Sequence, residues 1–109
     1  FIIIRYNIWE TEFETIILYR YKLLLENKST IEITERLIEQ NKQLKRTKYS
    51  FHWQTEKETL LKRWDNAPHH PEIETSPHHL HTNKEVLPHN EIDALEALKN
   101  IIEEYQKKQ

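Results

Sequence analysis

The stretch RWDNAPHHPEIETSPHHLH, residues 63 to 81, holds five of the seven histidines in the chain. Imidazole titrates near neutrality, so it serves as acid, base or metal ligand. With His52, the residues Arg63, Asp65, His69 and His70 make a set suited to metal-independent RNA cleavage. In that reaction a histidine or carboxylate takes the 2′-hydroxyl proton and a second histidine protonates the leaving oxygen. A guanidinium stabilises the charge that builds on the phosphorane.

Two other readings of the same residues stay open. The pairs His69-His70 and His78-His79, with His81, offer imidazoles to zinc, nickel or copper. Adjacent histidines of an extended segment point apart, so His79 and His81, joined by His69 or His70, are the better ligand set. No HExxH or Cys/His pattern accompanies them, and the expected complement is no metal and no cofactor. The bland reading is a histidine-rich loop that packs over the fold through ordinary hydrogen bonds. Prolines 68, 71, 77 and 88 stiffen that loop under either reading.

Composition removes several classes of function. The chain has 109 residues, which fits one domain. It has no cysteine, hence no disulfide and no thiolate nucleophile. It has no glycine, which excludes a Gly-rich phosphate loop or a dinucleotide fingerprint. Turns that need positive φ must therefore use other residues, and Asn27, Asn41 and Asn83 stand where such turns are wanted. The formal net charge of −2 gives no overall field for nucleic acid, although KQLKRTK (42 to 48) is a basic run without an acid. FIIIRYNIW is too short and too interrupted to span a bilayer, so a cytoplasmic protein with no membrane partner is expected.

Alternating apolar residues define the elements that must hold the site. Residues 1 to 9 place Ile2, Ile4, Tyr6 and Ile8 on one face; residues 15 to 25 and 29 to 38 form a hairpin pairing Leu23 with Ile31 and Tyr21 with Ile33. Residues 43 to 54 and 59 to 65 follow. An odd index sum in this last hairpin groups Tyr49, Phe51, Trp53, Leu60 and Trp64 as a core face. The opposite face then holds Ser50, His52, Leu61, Arg63 and Asp65. Residues 66 to 89 read as a long His/Pro loop, and 90 to 107 as a helix capped by Asn90, with Ile92, Leu95, Leu98, Ile102 and Tyr105 as its stripe and Lys107 and Lys108 at its end. The expected fold is a single α+β domain over 1–109: an antiparallel meander of about five strands with a C-terminal helix packed on the sheet.

YSFHWQ (49 to 54), RWDNAPHHPEI (63 to 73) and PHHLH (77 to 81) together resemble the TumE-type toxins of prokaryotic toxin–antitoxin pairs. The likeness extends over roughly residues 15 to 105 in layout, with its specificity in 49 to 81. It implies a toxin with ribonuclease-like activity on RNA, held inactive by a DNA-binding antitoxin protein; a homodimer is a further expectation. Under it, His70 and His69 are the acid–base groups, Arg63 faces the phosphate, Asp65 orients an imidazole, and His52, His78 and His79 stand behind them. This sequence departs from the family at Glu26-Asn27-Lys28, where members often have glycine in the turn, and at Ser76, where they often have an aromatic residue. Members also tend to have a helix ahead of the first strand. The alternative is a non-enzymatic module that docks a protein, by strand addition at FIIIRYNIW, or holds a metal.

Overall fold

The computed structural model describes residues 2–107. Its strands are β1 (Ile2–Glu10), β2 (Glu14–Leu24), β3 (Thr30–Gln40), β4 (Gln43–Gln54), β5 (Leu60–Asp65), β6 (His79–Thr82) and β7 (Val86–Pro88), followed by helix α1 (Ala94–Lys107). The strands form one antiparallel sheet in sequence order, β1 to β7, with no crossover. The α+β class is as expected, with seven strands in place of about five. Phe1 and Lys108, placed above in a strand and at a helix end, lie outside the described residues.

The additional strands come from the segment read as a single loop. HLHT in β6 has one apolar residue, Leu80, and β7 ends on a proline. Neither carries enough apolar alternation to show as a strand in sequence, yet Leu80 falls opposite both Trp64 and Leu87 and extends the core row. What remains of the loop, residues 66 to 78, folds as successive tight turns. Backbone bonds run from Ile73 N–H to His70 O, from Ser76 N–H to Ile73 O and from His78 N–H to Thr75 O.

The expected register holds across the centre of the sheet. Leu23 pairs with Ile31, Tyr21 with Ile33, and Ile33 with Phe51, which faces Trp64. Ile31, Ile33, Tyr49, Phe51, Trp53 and Trp64 are all buried. At roughly 1.5–3 kcal/mol for each large side chain removed from water, this row is the main stabilising element.

A bulge at Leu61 corrects one detail. Trp53 pairs with Lys62 and Gln54 with Leu60, which leaves Leu61 as the extra residue. Leu61 therefore packs against the core, where Leu60 was expected, while Lys62, opposite Trp53, keeps its place on the core face. Its Nζ donates to Asn100 Oδ1 at 2.9 Å and meets Glu104 Oε2 at 2.8 Å, tying β5 to the helix. Beyond the bulge the expected pairs Ser50–Asp65 and His52–Arg63 are present.

Turns without glycine rely on Lys28, Asn41, Lys42 and Glu58, all at positive φ. Of the three asparagines expected there, only Asn41 takes that conformation; Asn27 instead accepts the Ser29 N–H at 2.9 Å through its side chain.

The helix starts later and faces differently than its sequence suggests. Asp93, not Asn90, is the N-cap: its Oδ1 accepts the Glu96 N–H at 2.8 Å. Ala97 and Ile101 are fully buried, with Ala94, Leu98 and Tyr105 packed beside them. Leu95 is 62% and Ile102 45% exposed, so the stripe drawn through them is displaced. The small Ala97 lets the helix backbone approach the aromatic core, a role that counting only large apolar residues misses. Arg46 clamps the segment leading to the helix. Its Nη1 meets Glu35 Oε2 at 3.0 Å, its Nη2 donates to the Ile92 carbonyl at 2.8 Å, and its guanidinium lies 4.2 Å above the Tyr49 ring. No described helix is long and apolar enough to cross a membrane.

Candidate functional site

The sheet face away from the helix is polar, and two rows of side chains cross it. Arg20, Thr34, Ser50, Asp65 and His79 follow one another from β2 to β6; Glu32, His52, Arg63 and His81 form the next row. The turns after β5 bring Ala67, His69 and His70 over this face and close an open groove of about 440 Å³. Three cations line the groove, Arg20, Lys48 and Arg63, against two acids, Glu32 and Asp65, together with four histidines.

Asp65 is the hub. It is 7% exposed. Its Oδ2 accepts from Arg63 Nε at 2.9 Å, and its Oδ1 accepts the Ala67 N–H at 3.1 Å and lies 2.9 Å from His79 Nε2. The bond to Ala67 turns the chain at Asn66, which directs the His69–His70 segment over the groove. Asn66 adds its own hold, accepting the Tyr49 N–H at 3.0 Å and donating to the Thr47 carbonyl at 3.1 Å.

His79 is 2% exposed and its orientation is fixed at both nitrogens. Nδ1 is 2.8 Å from the Pro77 carbonyl oxygen, which can only accept, so Nδ1 carries a proton. Nε2 faces Asp65 and stands 2.8 Å from His81 Nε2. The His70 ring sits edge-on to both, with centres 5.3 Å from His79 and 5.5 Å from His81. Its Nδ1 is 3.2 Å from Glu72 Oε1. Burial pushes the His81 imidazole below its ordinary value, and the Arg63 guanidinium acts in the same direction while Asp65 opposes them. His81 is therefore held in its neutral form at neutral pH.

The structure brings Arg63, Asp65, His69, His70 and His79 together around one groove. His52 and His78 are elsewhere. His52 Nε2 bonds Gln54 Oε1 at 2.8 Å and does not line the groove, although it stands opposite Arg63 in register. His78, adjacent to His79 in the chain, turns to the helix side of the sheet. It stacks on Tyr49, with its Nδ1 2.8 Å from the Tyr49 hydroxyl. Burial pushes that hydroxyl up to about 12, with Arg46 opposing, so it keeps its proton beside the His78 ring. His81, read from sequence only as a ligand, belongs to the same cluster as His70 and His79. Lys48 ends the basic run KQLKRTK, which in sequence already offered a strand able to hold a phosphate backbone beside the histidines, whereas Arg20 was not anticipated. Its signal was the period-2 register across β2, β3 and β4, which puts Arg20, Thr34 and Ser50 in line with Asp65.

Such a groove can hold an anion on its guanidinium and ammonium groups, pass protons through imidazoles, or hold a cation among the ring nitrogens. No curated protein and no solved structure matches the chain. The family model for toxin TumE matches residues 2–109, nearly the whole length, and the groove residues all fall inside the match. The chain belongs to the TumE toxin family, and a toxin role follows from that membership.

Proposed function

We propose that this toxin cleaves RNA by metal-independent acid–base catalysis at the histidine groove. The observation that carries the reading is the convergence of His70, His79 and His81 on the Asp65–Arg63 pair in a groove with a cationic wall. His81, neutral in this setting, takes the 2′-hydroxyl proton. His70, at the groove mouth, protonates the departing 5′-oxygen. Arg63 faces the phosphorane, with Arg20 and Lys48 along the flanking backbone. Asp65 positions His79, and His79 positions His81. His69 lines the rim as a second proton carrier beside His70. The 2′-oxygen bonds to phosphorus as the bond to the 5′-oxygen breaks, and one proton is taken up while another is released. The products are a 2′,3′-cyclic phosphate and a 5′-hydroxyl, with no further reactant.

The partner in this reading is a DNA-binding antitoxin that restrains the toxin in the cytoplasm. β1 is an edge strand of the sheet, and Tyr6, 69% exposed, and Ile8 beside it are left uncovered by the helix. Strand addition at β1 suits that surface. The test is induced expression in a host without the partner. Wild type arrests growth, whereas His70→Ala and His81→Asn, folded by circular dichroism, do not. Equal arrest by all three proteins contradicts the reading.

A further inference from the structure

Two ring nitrogens and a carboxylate oxygen crowd together at the centre of the groove. His79 Nδ1 donates to the Pro77 carbonyl, which leaves Nε2 as the ring nitrogen that faces the groove. This nitrogen is 2.9 Å from a carboxylate oxygen of Asp65 and 2.8 Å from His81 Nε2. A cation at this point satisfies all three groups. One ligand atom from each of His70, His79 and His81 lies within 4.8 Å of the others. Tetrahedral zinc with Zn–N bonds of about 2.0–2.1 Å spaces its nitrogens about 3.3 Å apart, so small ring rotations close the set.

The surroundings have the features of a metal site. A ligating histidine commonly donates its other N–H to a backbone carbonyl, as His79 does to Pro77. His79 and His81 project from alternate positions of a hydrogen-bonded strand, which fixes their spacing. Asp65 adds a negative charge beside the nitrogens, and three ligands leave a coordination position open to the groove.

We propose that His70, His79 and His81 bind one divalent transition-metal ion of the zinc class, supported by Asp65, and that the loaded protein is the inactive form. The binding half stands on geometry alone. The inhibitory half rests on the acid–base reading above, because a nitrogen that ligates a metal cannot exchange a proton. Zinc thereby acts as a reversible stopper of the groove.

The probe is Zn²⁺ alone, titrated calorimetrically into full-length protein freed of metal with EDTA and dialysed. One ion binds per chain. His70→Ala and His81→Asn weaken binding by about 100-fold or more, and Asp65→Asn by about 10- to 100-fold. His89→Gln, outside the cluster, leaves the titration unchanged. His79 is buried, so its own variant is not needed; His70 and His81 are partly exposed and their variants keep the wild-type fold in EDTA. Absence of saturable uptake, or equal affinity in His70→Ala and His81→Asn, overturns the site. In a cleavage assay, one equivalent of Zn²⁺ stops the metal-free protein and EDTA restores it. Stimulation by zinc overturns the inhibitory half while the titration still decides the site. If metal-free protein cleaves nothing, the acid–base reading fails and the binding result stands independently.

Discussion

Asp65→Asn is the most informative single substitution, because the amide keeps the shape of the carboxylate and changes only its charge and donors. Asp65 receives Arg63 Nε–H on one oxygen and Ala67 N–H on the other, with His79 Nε2 beside the latter. An amide has one oxygen for these two sides. If its oxygen faces Ala67, the amide NH₂ meets Arg63 Nε–H donor to donor; if flipped, the NH₂ meets Ala67 N–H. One part-buried donor loses its acceptor in either orientation, at about 1–2 kcal/mol. The charge-assisted bond to Arg63 is also lost, but Arg63 is partly solvated and this adds at most about 1 kcal/mol. The expected destabilisation is about 1–3 kcal/mol, or roughly 4–12 °C in Tm at this size. Urea unfolding in EDTA reads it as a lower midpoint with an unchanged slope. The same variant, below its transition, loses RNA cleavage by on the order of 10²-fold, because the His69–His70 turn and His79 are no longer held. A loss of stability under about 0.5 kcal/mol refutes the assignment of Asp65 as the hub, whatever happens to activity.

Three further outcomes test the scaffold. Arg46→Ala leaves the buried Glu35 carboxylate without its cation and the Ile92 carbonyl without its donor, and is expected to destabilise by about 3–5 kcal/mol in urea unfolding. The double variant Glu35→Leu/Arg46→Met regains part of that loss, since the desolvated charges are gone while the Ile92 carbonyl and the Tyr19 hydroxyl lose their partners. On the helix, Leu95→Lys stays within about 0.5 kcal/mol of wild type, whereas Ala97→Lys, placed in a fully buried position, prevents folding as judged by near-ultraviolet circular dichroism. Glu58→Gly relieves a left-handed residue and raises Tm by a few degrees, about 1 kcal/mol of strain being partly offset by the greater freedom of the unfolded chain.

The central sheet was legible because its residues alternate without interruption. Tyr21, Ile33, Phe51 and Trp64 admit one register that sets all of them on the core face, and that register also puts His52 opposite Arg63 and Ser50 opposite Asp65. The same period made β6 illegible. Every second residue of HLHT belongs to the site rather than the core, so functional demand removed the apolar signal that marks a strand. The bulge at Leu61 was hidden for a different reason: LL at 60 and 61 offers a leucine to the core in either register. The helix phase depended on an alanine, whose small size matters only once the distance to the sheet is known. Within the site, the grouping of Arg63, Asp65 and His70 was visible from composition and hairpin parity. The separation of His78 from His79 and the pairing of His79 with His81 follow from the extended backbone, in which adjacent side chains point apart. Arg20 comes from β2, and nothing local to it in sequence points to the histidines.

The most direct test of the account is the chemistry of RNA ends. Purified wild-type protein and His70→Ala are incubated with RNA in EDTA, and the termini are mapped. The account predicts 2′,3′-cyclic phosphate and 5′-hydroxyl ends with wild type, and none above background with His70→Ala. Intact RNA with folded, metal-free wild type, or ends of equal number with His70→Ala, contradicts it.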